Sequence, residues 1–241
     1  MSAIHPVLNP ARVRSDLSRL GREAEQYLST VESFHDDEFD QPSHCEGWNR
    51  AMVIAHVAIL ARRFTRLLEW AETGQEQQLF ESQEERTRDH EELAAKPRAE
   101  LKAEARASLE AFIAAADVLT GELRAEEVGI GPKRFPATSI PAVVIAEVVV
   151  HHADLDTQWE VEEADPDSLL NAVTAGVLNL SVKDSPGLTI VTDEGDEWVI
   201  GDGSLRVEGD REGILDWISR GRSHGIYLPE GVDEAPELPS W

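Results

Sequence analysis

Between Ser139 and Trp159 the chain reads SIPAVVIAEVVVHHADLDTQW, and this stretch restricts the fold most. Its valines and isoleucines favour a strand, but the run is far longer than an ordinary strand. Ser139 followed by Pro141 reads as a helix start. A helix this apolar needs partners, and three long helical patterns upstream supply them, so the arrangement predicts a four-helix bundle.

The first of those patterns opens with Asn9 as cap and Pro10 at the first helical position, and repeats apolar residues at Val13, Leu17, Leu20, Tyr27, Leu28 and Val31. The second runs from about Trp48 to Glu72, stops at Gly74, and carries Val53, Val57, Leu60, Phe64, Leu67 and Leu68 on one face. The third starts at Pro97 and ends at Gly121, with Leu101, Ala105, Leu109, Phe112 and Leu119 facing one way. The stretch GQEQQLFESQEERTRDHEELAAK between the second and third is charged and nearly free of core residues, so it reads as a solvated helix or a cover.

Past EVEEADPDS the pattern changes. A helix over Leu169–Lys183 precedes the runs LTIVT, EWVIG and SLRVEG, which Asp/Gly-rich turns separate, and a last helix, REGILDWISRGR, precedes a proline-rich tail. The expected fold class is therefore mainly α: a four-helix bundle domain over residues 1–162, followed by a small α+β C-terminal domain over residues 165–241.

Charge narrows the partners. With 22 basic against 47 acidic residues the formal charge is −25, which repels nucleic acids and anionic membranes and serves solubility. An anionic small molecule would then need a local positive island. The start lacks the apolar segment of a secretory signal, and Cys45 is the only cysteine, so a cytoplasmic protein without disulfides is expected, as a monomer or weak oligomer.

On a helix, Glu147, His151 and Asp154 stand at i, i+4 and i+7 and line one stripe. A carboxylate and an imidazole one turn apart can chelate a metal ion. His56, within the apolar MVIAHVAIL of the second helix, is the best source of a third ligand. His, Glu and His would leave a coordination position open, as catalytic zinc sites do. Spacing alone equally admits a buried hydrogen-bond partner beside an ion pair. Asp154 suits the orientation of an imidazole better than metal binding, and His152, about 100° further round the helix, reads as structural or exposed. Cys45 reads as a small apolar residue at a helix entry, the alternative being a thiol activated by Arg50 or the helix N-terminus. Arg220 and Arg222 flank Gly221 in WISRGRSHG, and either can bind a carboxylate or simply favour the helix dipole.

Several motifs resemble those of the mycothiol-dependent maleylpyruvate isomerases. CEGWNRAMVIAHVA is similar to their C-x-G-W followed eight residues after the tryptophan by histidine, and EVVVHHADL to their Glu-x-x-x-His-x-x-Asp-Leu helix. RVEGDREGILDWISRGR and the ELPSW tail resemble the end of their C-terminal domain. Ala146, where relatives often carry arginine, and His152, where they carry a small residue, depart from the pattern. The resemblance implies a DinB-like four-helix bundle, a divalent metal, usually zinc, on His56, Glu147 and His151, and mycothiol as the low-molecular-weight thiol cofactor. It gives Arg222 a substrate carboxylate, with Arg220 as fallback. The implied reaction is thiol-dependent cis–trans isomerisation of maleylpyruvate to fumarylpyruvate; a mycothiol S-transferase and a non-catalytic metal-binding bundle are the alternatives.

Overall fold

The computed structural model describes residues 13–131, 133–239 and 241, and of Lys133 only the backbone. Asn9 and Pro10, the expected first cap, lie outside the described residues. The bundle is built from α1 (Val13–Ser33), α2 (Arg50–Thr73), α4 (Arg98–Ala115) and α5 (Ile140–Asp154), with α3 (Gln83–Ala94) laid on α2. Helix α2 packs on α4, α4 on α1, α1 on α5 and α5 on α2, which closes the ring.

Local signals set the helix ends. The Asn49 side chain accepts from the Met52 amide at 2.9 Å and starts α2. Gly74, at φ 76°, stops it in the left-handed conformation with its N–H on the Trp70 carbonyl. Helix α5 stays helical despite its β-branched residues because it is buried on nearly every side. Val144, Val148, Val149 and Val150 all lie in the core, and α6 (Pro166–Ser181) covers the side that the bundle leaves open. Each such valine contributes about 1.5–3 kcal/mol relative to exposure, which outweighs a helix-propensity cost below about 1 kcal/mol per residue.

The structure corrects or extends the sequence reading at three places. Helix α5 ends at Asp154, short of Trp159. The Arg50 guanidinium donates to the carbonyls of Leu155, at 2.6 Å, and Asp156, capping the helix from a neighbouring element, and Asp156 turns to φ 52°. The charged stretch before α4 contains a helix as expected, α3, started by Ser82, but it is docked by its buried His90 and Leu93 rather than solvated all round. Arg63 of α2 holds it there through Glu85, at 2.8 Å, and Asp89. Thirdly, residues between α4 and α5, for which the sequence offered no element, form a hairpin of β1 (Glu127–Ile130) and β2 (Lys133–Pro136), with Val128 and Phe135 buried.

The remainder is a helix pair on a mixed sheet. Asp165 caps α6 and accepts from the Asp167 amide at 3.0 Å. Strands β3 (Leu188–Thr192), β4 (Glu197–Ile200), β5 (Leu205–Gly209) and β6 (Ile226–Tyr227) form a sheet in the order β4-β3-β5-β6, with only β3 and β5 parallel. Alternation puts Leu188, Ile190, Trp198, Ile200 and Val207 inward. Helix α7 (Arg211–Arg220) lies so close to the turn before β6 that a Cβ on Gly213 would meet the Gly225 carbonyl at 2.2 Å. The chain is thus mainly α, a four-helix bundle followed by a small α+β region, as expected from its sequence. Among the described residues no helix is long and apolar enough to cross a membrane.

Candidate metal centre

Helices α2 and α5 lie side by side, and their facing surfaces bring His56, Glu147 and His151 together. One ligand atom from each lies within 4.8 Å of the others. The Glu147 carboxylate stands 3.5 Å from His56 Nε2 and 3.3 Å from His151 Nε2. Both imidazoles are buried, at 5% and 3% exposure, in a core that gains nothing from lone polar rings.

The outer nitrogens decide what the inner ones present. His151 Nδ1 lies 2.7 Å from Asp154 Oδ2, and an ionised carboxylate only accepts, so Nδ1 carries the proton. Asp154 is held ionised in turn: burial alone would raise its pKa, but His151 and the Arg220 guanidinium lower it well below the usual range. Arg220 grips it with two N–H groups, one of them at 2.7 Å from Oδ1. On the other side His56 Nδ1 lies 3.1 Å from His90 Nε2. The Nε2 atoms of both imidazoles therefore face one carboxylate, and His151 Nε2 is buried without a hydrogen bond.

Two ring nitrogens and a carboxylate that converge in a buried site need a cation between them, either a proton or a metal ion. Charge perturbations around the cluster follow from this. Burial, reinforced by the charge on His151, pushes His56 down to about 4. Burial would raise the Glu147 carboxyl, but the two imidazoles beside it hold it well below the usual carboxylate range. For His151 burial is overcome by Asp154, Cys45 and Glu147, which raise its proton affinity far above an ordinary imidazole's. A divalent ion would use the same lone pair that attracts that proton. Two nitrogens and one carboxylate oxygen suit zinc and leave a coordination position open.

A second group of potential ligands, Cys45, His151 and Asp154, meets the same distance condition. It fits a cation less well, because both Asp154 oxygens already accept from Arg220 and the Cys45 thiol donates to Asp154 at 3.2 Å. Cys45 nevertheless stands at the site rather than in plain packing at a helix entry. The turn CEGW delivers it there, with Gly47 at φ 77° and the Trp48 ring 5.2 Å from that of His56. His152 is structural: its ring stacks on Trp159 at 3.9 Å and meets Thr30 Oγ1 at 2.7 Å.

The cluster opens on a cavity of about 1090 Å³ between the bundle and the C-terminal region. Leu60, Phe64, Trp217 and Trp241 supply apolar wall, and Arg86, Lys183 and Arg220 supply cationic groups. Arg220 thus lies on the cavity, whereas Arg222 does not. Helix α7 ends at Arg220, the left-handed Gly221 turns the chain, and Arg222 leaves to hydrogen-bond Asp216 at 3.1 Å beside a separate cleft of about 300 Å³. Sequence reasoning missed His90 altogether. Its only signal is the His90/Leu93 pair at helical spacing within an otherwise charged segment.

The family model described as "Mycothiol maleylpyruvate isomerase N-terminal domain" matches residues 20–156, more than half of the chain. A crystal structure of the mycothiol-dependent maleylpyruvate isomerase has a similar fold, with a TM-score of 0.79 and 22% identity over 95% of this chain and 97% of that one. A histidine-to-alanine mutant of that enzyme gives a TM-score of 0.78 and 21% identity over the same shares. No functionally curated protein gives a significant match.

Proposed function

The chain belongs to the mycothiol maleylpyruvate isomerase family, and we propose from that premise that it catalyses the thiol-dependent cis–trans isomerisation of maleylpyruvate to fumarylpyruvate. The observation that carries the reading is the convergence of two imidazole nitrogens and one carboxylate on the wall of a large cavity. A cavity of about 1090 Å³ has room for a sizeable thiol together with a small diacid.

In this reading His56, Glu147 and His151 hold a divalent ion, zinc by the character of the donors. Such an ion, when bound, lowers the pKa of a coordinated thiol so that thiolate is available at neutral pH. Mycothiol supplies the nucleophile, whose reversible addition turns the cis double bond into a single bond that can rotate. Asp154 keeps His151 in the tautomer that presents Nε2. The carboxylate-binding role that resemblance assigns to Arg222 is proposed here for Arg220, which faces the cavity and offers N–H groups to negative charge developing during addition. Trp48, Leu60 and Phe64 keep water from the reacting atoms. Residues 1–162 carry the metal ligands, and residues 165–241 act as the unit that closes the cavity and brings Arg220 to it.

Isomerisation of maleylpyruvate, followed with and without mycothiol, tests the reading. Turnover that requires the thiol and returns it unconsumed is expected. Equal rates without it would exclude the thiol role, and a stable thioether product would make the protein an S-transferase.

A further inference from the structure

We propose that His90 is the positioning residue for the metal ligand His56, and that from the cover helix α3 it fixes which ring nitrogen of that ligand faces the metal site. This inference rests on the metal reading above, and it concerns a side chain outside the three ligands.

Hydrogen bonds run in one direction through the two rings. His90 Nδ1 lies 2.5 Å from the carbonyl oxygen of Arg86. A carbonyl only accepts, so the His90 proton sits on Nδ1 and its Nε2 is left with a lone pair. That Nε2 is 3.1 Å from His56 Nδ1, which must therefore donate. The His56 proton is then committed to Nδ1, and its Nε2 lone pair is directed at Glu147 and His151. The chain Arg86 C=O, His90, His56 mirrors Asp154 and His151 on the other ligand, with a neutral partner in place of a carboxylate.

The surroundings are built for this. His90 is 4% exposed on a helix whose only other buried residue is Leu93, so one of the two inward positions of α3 goes to a polar ring. The Trp48 and Phe80 rings lie 6.3 and 6.1 Å from it and fix its plane. Helix α3 cannot drift, because Arg63 pins Glu85 and Asp89 to α2. Arg86 contributes its carbonyl to this relay while lining the cavity, so the placement of the cover and the metal affinity are linked through one residue.

Metal affinity, measured on the full chain by competition with a chromophoric chelator using zinc alone, tests the proposal. His90→Phe keeps the volume and removes the acceptor, and should weaken zinc binding about 10–100-fold. His90→Gln restores an acceptor and should recover most of that loss. In the metal-free protein, nitrogen-15 spectra of the imidazoles should show His56 as the Nδ1–H form, and His90→Phe should convert it to a mixture of both forms. Thermal unfolding of each variant shows that it is folded. Wild-type affinity in His90→Phe, equal losses in the Phe and Gln variants, or an unchanged His56 form would overturn the role of His90. A wild-type chain that takes up no zinc would sink the metal reading itself.

Discussion

Two of the polar clusters buried among the described residues are built on opposite principles. At the joint between α1 and α6, Arg19 donates to Asp16 at 2.6 Å, to Asp165 at 3.2 Å and to Asp167 at 2.6 Å, while Glu23 accepts from the Asp165 amide at 3.0 Å. Donors and acceptors alternate there around a guanidinium. Around Glu147, two imidazole nitrogens converge on one carboxylate, and the outer ring nitrogens are tied to Asp154 on one side and His90 on the other. Asp16, Arg19 and Glu23 are as deeply buried as His56 and His151, so burial does not distinguish a staple from a site. The difference lies in what the groups converge on: a guanidinium of the protein itself in the first cluster, a point between three potential ligand atoms in the second.

That contrast predicts separable losses. The largest is expected at the imidazoles: His56→Ala should abolish stoichiometric zinc and lower thiol-dependent isomerisation on the order of a thousandfold. Metal analysis and initial rates would read this, and unchanged metal content would break the distinction. Arg19→Ala should do the opposite. It leaves Asp16 buried beside a missing partner and should cost about 3–5 kcal/mol in urea unfolding, with zinc per folded chain unaltered. Loss of zinc in that variant would show the two clusters to be coupled.

A smaller effect is expected at Asp154. Asp154→Asn disturbs the orientation of His151 without removing a ligand, so zinc affinity should fall about 10–100-fold by chelator competition. A fall as complete as that of His56→Ala would make Asp154 a ligand instead. The smallest effect belongs to the staple in acid. Burial would raise the Asp165 pKa, but Arg22, the Asp167 amide and Arg19 lower it below its ordinary value of 3.8. A depressed folded value means the stabilisation is fully present above the unfolded value and is lost as pH falls through the folded one. Wild type should therefore lose stability relative to Asp165→Asn only below about pH 4, by no more than about 1 kcal/mol, since the pair is partly exposed. Urea midpoints measured from pH 3 to 7 would show it, and a divergence centred near pH 7 would remove Asp165 as its source.

Much of the fold was legible because local chemistry controls it. Asn49 and Gly74 bound α2, the length of the apolar run forces α5 to be a helix, and strict alternation marks β3 and β5. Where long-range contacts decide, the sequence misled. Arg50 ends α5 from a different element, two inward side chains are enough to dock an otherwise polar α3, and hairpin β1–β2 forms where no strong period is visible.

Around the centre the same division holds. The spacing of Glu147, His151 and Asp154 placed them on one helical stripe, since helical periodicity is a property of the chain itself. That His56 shares a face with them, that His90 stands behind His56, and that Arg220 rather than Arg222 reaches the cavity were decided by packing. The physical reason is directional. A hydrogen bond or a lone pair is specified by where two distant backbones set their side chains, and one strand of sequence carries no record of that angle.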